Sequence, residues 1–265
     1  MHSPLPRAKK SLGQHFLTDA HYIRRIVEAI APRPEDRMVE IGPGPGALTR
    51  PLLAVLPHLD VVEVDRDMVA RLVAEFPPER LSVHGVDALT FDFGALGSGD
   101  GPDLRVAGNL PYNISSPLLF HLAEFTASIR DMTFMLQKEV VDRMAAAPDT
   151  PDYGRLTVML QARFKVTKLF TVPPGAFTPP PKVDSAIVRL TPLPAEARLY
   201  RNHKILAEVV ARAFGQRRKT LRNTLKGLVQ DEDFAAEGID PARRGETLSV
   251  AEFAALANRL PSPPS

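Results

Sequence analysis

Arg37-Met38-Val39-Glu40-Ile41-Gly42-Pro43-Gly44-Pro45-Gly46 reads as a strand that runs straight into a glycine-rich turn, and residues 47–56 then follow a helical pattern. Strand, turn and helix in that order open an α/β sheet whose ligands sit beyond the carboxyl ends of its strands. The glycines at 42, 44 and 46 permit a tight turn and close approach of a ligand to the backbone. Their spacing is not that of a dinucleotide fingerprint, and no Gly-Lys-Ser/Thr follows as in a nucleoside-triphosphate loop. Asp60-Val61-Val62-Glu63-Val64-Asp65 is a second strand ending in acids, about twenty residues past the glycines, where a carboxylate accepts from ribose hydroxyls. Glu63 and Asp65 share one strand face; Asp65 serves equally well as the cap of a helix over 68–76. A third strand, 81–86, leads to Asp87, either an acceptor for an adenine amine or a turn cap.

The fourth strand, 104–108, runs into Asn109-Leu110-Pro111-Tyr112. Pro111 fixes its own φ and biases Leu110 toward an extended backbone, so Asn109 and the Leu110 carbonyl form two acceptors on a stiff turn beside the Tyr112 ring. Two acceptors and a flat face suit a planar group bearing an exocyclic amine, although an ordinary strand-to-helix loop has the same composition. A fifth strand spans 131–137, helices follow over 138–146 and 155–161, and 165–172 with 185–190 form a hairpin-like pair. Between that pair lies a stiff proline-rich stretch, 173–182, which either holds Phe177 as a stacking plate or seats it in a cleft.

Pro192-Leu193-Pro194 reads as a linker, dividing the chain into domains over 1–192 and 193–265, the second all-helical from Asn202 onward. Residues 216–226 place Arg217, Arg218, Lys219 and Arg222 on one helix that also carries an apolar stripe, a face for phosphates or simply a solvated one. At the other end, residues 1–10 form a basic arm without the apolar core of a secretory signal. Thr18 or Asp19 then caps a helix carrying Ile23, Ile26, Val27 and Ile30. The tail, 261–265, reads as disordered.

With 265 residues, 44% hydrophobic and 24% charged, the composition is that of a globular protein, and no apolar run approaches a membrane span. A cytoplasmic monomer is the expectation. The net charge of +2 is too small to argue for nucleic acid by itself, so such a partner rests on local clusters. The absence of cysteine excludes disulfides, thiolate catalysis and Cys-ligated zinc, and no other metal site is evident.

Gly13-Gln14-His15-Phe16-Leu17, the glycine loop, Glu63-Val64-Asp65, Asn109-Leu110-Pro111-Tyr112, Gln137-Lys138-Glu139-Val140, Tyr153-Gly154-Arg155-Leu156 and residues 177–185 occur in one order. Together they resemble the ribosomal RNA adenine N6,N6-dimethyltransferases of the small-subunit class, over nearly the whole chain. The resemblance implies a Rossmann-like class I methyltransferase sheet with helices on both faces, plus a small C-terminal all-helical domain that binds RNA. It implies S-adenosyl-L-methionine as cofactor, held by His15, Leu17, Gly42, Glu63, Asp87 and Asn109. It implies methyl transfer to N6 of two adjacent adenines near the 3′ end of small-subunit rRNA, in a 30S-type subunit or its assembly intermediate. Asn109, Leu110, Pro111, Tyr112 and Phe177 would receive the base. Pro45 and Val86 depart from the residue types usual at their positions. The other readings are a large-subunit rRNA dimethyltransferase, an assembly factor with catalysis secondary, and a small-molecule methyltransferase that would have no use for the basic cluster.

Overall fold

The apolar runs after Arg37 fold as strands. The protein, represented by a computed structural model, is described at Pro6, Lys9 and residues 13–111, 113–216 and 218–261. Tyr112, Arg217, most of the basic arm and residues 262–265 of the tail lie outside the described residues. In chain order the elements begin with β1 (Phe16–Leu17), α1 (Ala20–Ile30), β2 (Arg37–Ile41), α2 (Thr49–Leu53), β3 (Leu59–Val62), α3 (Arg66–Glu75) and β4 (Leu81–His84). They continue with β5 (Leu104–Asn109), α4 (Ser115–Leu122), β6 (Ile129–Gln137), α5 (Lys138–Met144), α6 (Arg155–Gln161), β7 (Phe164–Val172), β8 (Phe177–Thr178) and β9 (Ser185–Pro192). Four further helices follow: α7 (His203–Gly215), α8 (Leu221–Thr224), α9 (Asp231–Ala236) and α10 (Val250–Arg259).

The main sheet has the order β4-β3-β2-β5-β6-β9-β7, and β1 pairs with β8 in a separate two-stranded ribbon. Strands β2 to β6 are parallel with their neighbours, and β9 returns antiparallel against β6. The chain leaves β2 toward β3 on one side, while β5 lies on the other. That reversal is the switch point where an open α/β sheet leaves a crevice at its carboxyl edge. Buried side chains such as Val39, Ile41, Val61, Val106 and Ala107 explain why these runs are nearly continuous in hydrophobicity. Asp19, one of the two expected caps, accepts from the backbone N–H groups of His21 and Tyr22 at the start of α1.

Two compact units result. The first contains the described residues up to Val141 together with Thr167–Pro192; the second contains Asp142–Val166 and the described residues from Leu193 onward. The expected division at 192/193 therefore needs amendment, because 142–166 belongs with the helical unit. Within that unit α6 buries Thr157, Val158, Met159 and Leu160, and the buried Tyr153 hydroxyl donates to the Leu248 carbonyl at 2.7 Å. The basic run is also arranged differently from the single helix expected. α7 ends at Gly215, Gln216 leaves helical backbone (φ −138°, ψ 82°), and α8 starts only at Leu221. Among the described residues no helix is long and apolar enough to cross a membrane.

One glycine in β5 sets the spacing of the crevice. A Cβ on Gly108 would lie 2.3 Å from the carbonyl oxygen of Ile41, its register partner in β2. Gly108→Ala should therefore push these strands apart and destabilise the protein by about 1–3 kcal/mol, the usual range for overpacking. Gly175→Ala, where a Cβ meets nothing within 4 Å, is the control. Equal thermal midpoints for the two variants would refute the spacing argument.

Candidate active site

The glycine loop leaves β2 in a conformation that side chains disfavour. Gly42 and Gly44 adopt φ of +66° and +52°. The Gly42 N–H donates to the Val62 carbonyl at 2.9 Å, which ties the loop to the end of β3. Glu63 lies just beyond that end and is 6% exposed. Its two oxygens accept from the N–H groups of Gly44 at 3.1 Å and Asp65 at 2.9 Å. Burial raises the Glu63 carboxyl above its ordinary range, against the opposing pull of those hydrogen bonds.

A second acid stands beside it. Glu40, 1% exposed, accepts from the Thr49 hydroxyl at 2.6 Å. Burial, with a smaller contribution from the Glu63 charge, pushes its carboxyl up to about 7, although the Thr49 hydrogen bond works the other way. Glu40 and Glu63 line a cavity of about 220 Å³ together with the glycine loop. Two buried acids on one wall favour a cation or a group rich in hydroxyl donors.

The neighbouring strand β5 contributes next. Asn109 occupies its last position, and a Cβ on Gly42 would lie 3.5 Å from the Asn109 carbonyl oxygen. The Asn109 side-chain N–H donates to the His15 carbonyl at 3.1 Å. A carbonyl can only accept, so this bond decides which way the amide faces and leaves Oδ1 as its acceptor. The Leu110 N–H is bound to the Met135 carbonyl at 3.2 Å, which fixes the start of the turn.

His15, Leu17, Gly42, Glu63, Asp87, Asn109, Leu110 and Pro111 all line this one cavity. Asp87 is also a cap: one of its oxygens accepts from the Leu89 N–H at 2.9 Å. Asp65 is capping α3 through the Asp67 N–H at 3.0 Å. Of the two roles expected for Phe177, a stacking plate or a ring seated in a cleft, its burial favours the second. It is 3% exposed and lies in the core with Leu17, Ala176 and Ile187, because pairing of β8 with β1 turns its ring inward. Arg218, Lys219 and Arg222 are exposed in the helical unit, and Arg222 pairs with the exposed Asp231 at 3.2 Å. Glu40 and Asn113 also line the cavity without having been singled out. Glu40 stands two residues before Gly42 on the strand, a position from which its side chain shares the loop's face.

Comparison with known proteins now has a geometry to refer to. The family described as Ribosomal RNA adenine dimethylase matches residues 6–261. A ribosomal RNA small subunit methyltransferase A from Aromatoleum aromaticum is 61% identical over 254 residues, covering 96% of this chain and 94% of the relative. A protein of the same name from Thiobacillus denitrificans is 58% identical over 260 residues, covering 98% and 99%. Among solved structures, a dimethyladenosine transferase from Plasmodium falciparum superposes with a TM-score of 0.75 at 26% identity, covering 91% of this chain and 96% of that one. The 23S rRNA methyltransferase ErmE gives 0.69 at 26% identity, covering 92% and 99%.

Glu40 generates a stability prediction. A carboxyl near 7 when folded keeps its proton over a range where the unfolded chain has released it. Stability then falls as pH rises from the ordinary carboxylate range through about 7 and levels off above. Glu40→Gln should remove that part of the slope in urea titrations taken across the window. A variant whose slope matches the parent's would show that Glu40 titrates as an ordinary acid.

Proposed function

The chain belongs to the ribosomal RNA adenine dimethylase family, and from that premise we propose that its cavity binds S-adenosyl-L-methionine and presents the methyl group to N6 of an adenine placed at Asn109. The enzyme is an rRNA adenine dimethyltransferase that converts two adjacent adenines near the 3′ end of small-subunit rRNA to N6,N6-dimethyladenosine. Relatives named for the small subunit reach 61% identity, against 26% for the large-subunit enzyme ErmE, which favours the small-subunit substrate.

The residues present suit this cofactor. The glycine backbone at 42 and 44 leaves room that side chains would fill, Glu63 stands at the strand end as an acceptor for ribose hydroxyls, and Asp87 offers a carboxylate to an adenine amine. His15 and Leu17 close the cavity from the amino-terminal segment. S-adenosylmethionine supplies a methyl group on a cationic sulfur, so no metal or covalent nucleophile is called for. The buried acids Glu40 and Glu63 favour that positive charge.

The observation that carries the proposal is the fixed amide of Asn109 beside the glycine loop. Adenine N6 is a poor nucleophile because its lone pair is delocalised into the ring. Asn109 Oδ1 and the Leu110 carbonyl accept its N–H groups, favour a pyramidal nitrogen and stabilise the positive charge that develops on it. Holding both reactants in one cavity supplies proximity. The base must leave its stack to arrive there, and Tyr112 is the residue proposed to stack on it. Arg217, Arg218, Lys219 and Arg222 contribute phosphate contacts that hold the small-subunit rRNA, in the 30S-type subunit or its assembly intermediate.

Methyl transfer to isolated small subunits and to naked rRNA, with calorimetric titration of the cofactor, tests the assignment. Asn109→Ala should lower the single-turnover rate at saturating RNA and cofactor about a hundredfold, the loss expected for one preorganised acceptor. RNA affinity should stay near the parent's. Transfer at the parental rate would make Asn109 a structural turn residue.

The basic cluster gives a separate measurement. Replacing Arg217, Arg218, Lys219 and Arg222 with Ala should flatten the dependence of log K for RNA on log salt by up to about one unit per lost phosphate contact. Cofactor affinity should not change. An unaltered salt slope would mark the run as a solvated face.

A further inference from the structure

Capping a helix does not require burial, yet the Asp65 cap is 2% exposed. What covers it is the amino-terminal segment. Lys9 Nζ lies 2.6 Å from Asp65 Oδ1, and Gln14 Nε2 donates to Oδ2 at 2.8 Å. Lys9 also reaches Asp67 Oδ2 at 2.6 Å. The two gripping residues are tied to each other, with the Lys9 N–H donating to Gln14 Oε1 at 2.8 Å. Burial alone would raise the Asp65 carboxyl, but the hydrogen bonds from Lys9, Gln14 and the Asp67 N–H outweigh it and hold the group below the usual carboxylate range.

From that grip the chain crosses the cavity. Gly13, Gln14, His15, Phe16 and Leu17 all line it. A Cβ on Gly13 would meet Asn113 Oδ1 at 3.5 Å, and the Phe16 ring lies 3.5 Å from the Cβ position of Gly44. The next contact is the His15 carbonyl on the Asn109 amide. Beyond it, β1 pairs with β8, and Thr18 and Asp19 donate to the Ala176 carbonyl at 2.9 and 3.2 Å. The strap is thus anchored at both ends, on backbone at β8 and, at the start of α3, on the carboxylate of Asp65 with Asp67 beside it.

We propose that Asp65 is a positioning residue for methyl transfer: its carboxylate grips Lys9 and Gln14, holds residues 13–17 as a strap across the cofactor cavity, and so fixes the His15 carbonyl that orients Asn109. The catalytic part of this inference rests on the reading of the cavity as the S-adenosylmethionine site. The latch itself can be measured without it.

Asp65→Asn separates the latch from the cap. Asparagine caps helices as well as aspartate does. Its new amide N–H, however, faces the Gln14 amide donor, and its lost charge leaves Asp67 as the carboxylate that holds Lys9. Amide exchange across residues 14–17 in the cofactor-free protein should quicken at least about tenfold, the effect of losing one hydrogen bond to a charged group. S-adenosylmethionine should dissociate faster by a similar factor, with KM for cofactor rising and kcat falling, while the unfolding midpoint stays near the parent's. Adding Lys9→Met to Asp65→Asn, which also ends the Lys9–Asp67 pair, should quicken exchange by less than Lys9→Met does in the parent. Parental exchange rates in Asp65→Asn, or effects of the two substitutions that add in full, would overturn the latch. A parent that binds no S-adenosylmethionine in the calorimeter, with exchange still quickened by Asp65→Asn, would overturn the reading of the cavity and leave the latch standing.

Discussion

The ends of β2 and β5 approach each other with no side chain between them, and the site depends on that closeness. At a switch point the parallel neighbours diverge beyond their carboxyl ends and leave a crevice. Here the floor of the crevice stays narrow because Gly108 sets nothing against the Ile41 carbonyl, where a Cβ would intrude to 2.3 Å. One residue later, each chain contributes its chemistry: the glycine loop begins at Gly42 and the acceptor stands at Asn109. A ligand lying on the loop is then within reach of the Asn109 amide, without any long side chain having to bridge the two.

Such a narrow cavity makes its charges matter. Glu40 and Glu63 are both buried, and two fully ionised carboxylates there would repel each other in a medium that screens poorly. The structure moderates this in two ways. Glu63 takes backbone N–H groups on both oxygens, and Glu40, pushed up to about 7, carries a proton for part of the time near neutrality. The wall remains attractive to a cation, and one that settles there draws Glu40 toward its ionised form.

The strands, the glycine loop and the acids Glu63 and Asp87 were legible in the sequence because each follows from strand periodicity and from residue types placed at strand ends. The parallel order could be inferred from alternating strands and helices. Contacts between distant segments could not. Lys9 and Asp65 are 56 residues apart, and neither carries a local signal that it will meet the other. The same holds for 142–166, which sits between two strands of the sheet but joins the helical unit through bonds such as Tyr153 to Leu248. Gln216 broke the expected basic helix by a backbone turn that its side chain does not announce. His15 was marked only by resemblance, since a histidine ahead of a helix cap has no distinctive spacing of its own.

Phe177 shows how one segment can carry two readings, a stacking plate or a ring seated in a cleft, and how burial favours the second. The proline-rich stretch around it suggested a platform for a base, because rigidity and an aromatic ring are what stacking requires. Its rigidity serves the backbone instead. The Ala176 carbonyl receives Thr18 and Asp19, the Pro179 carbonyl meets His15 Nδ1 at 2.9 Å, and Phe177 is buried where β8 pairs with β1. The segment acts on the chemistry through the strap it anchors: a stiff rail holds His15, the His15 carbonyl holds the Asn109 amide, and the amide presents its oxygen. The aromatic ring packs in the core with Leu17, Ala176 and Ile187, so enlarging or shrinking it disturbs the rail that holds His15 and, through two backbone carbonyls, the Asn109 amide.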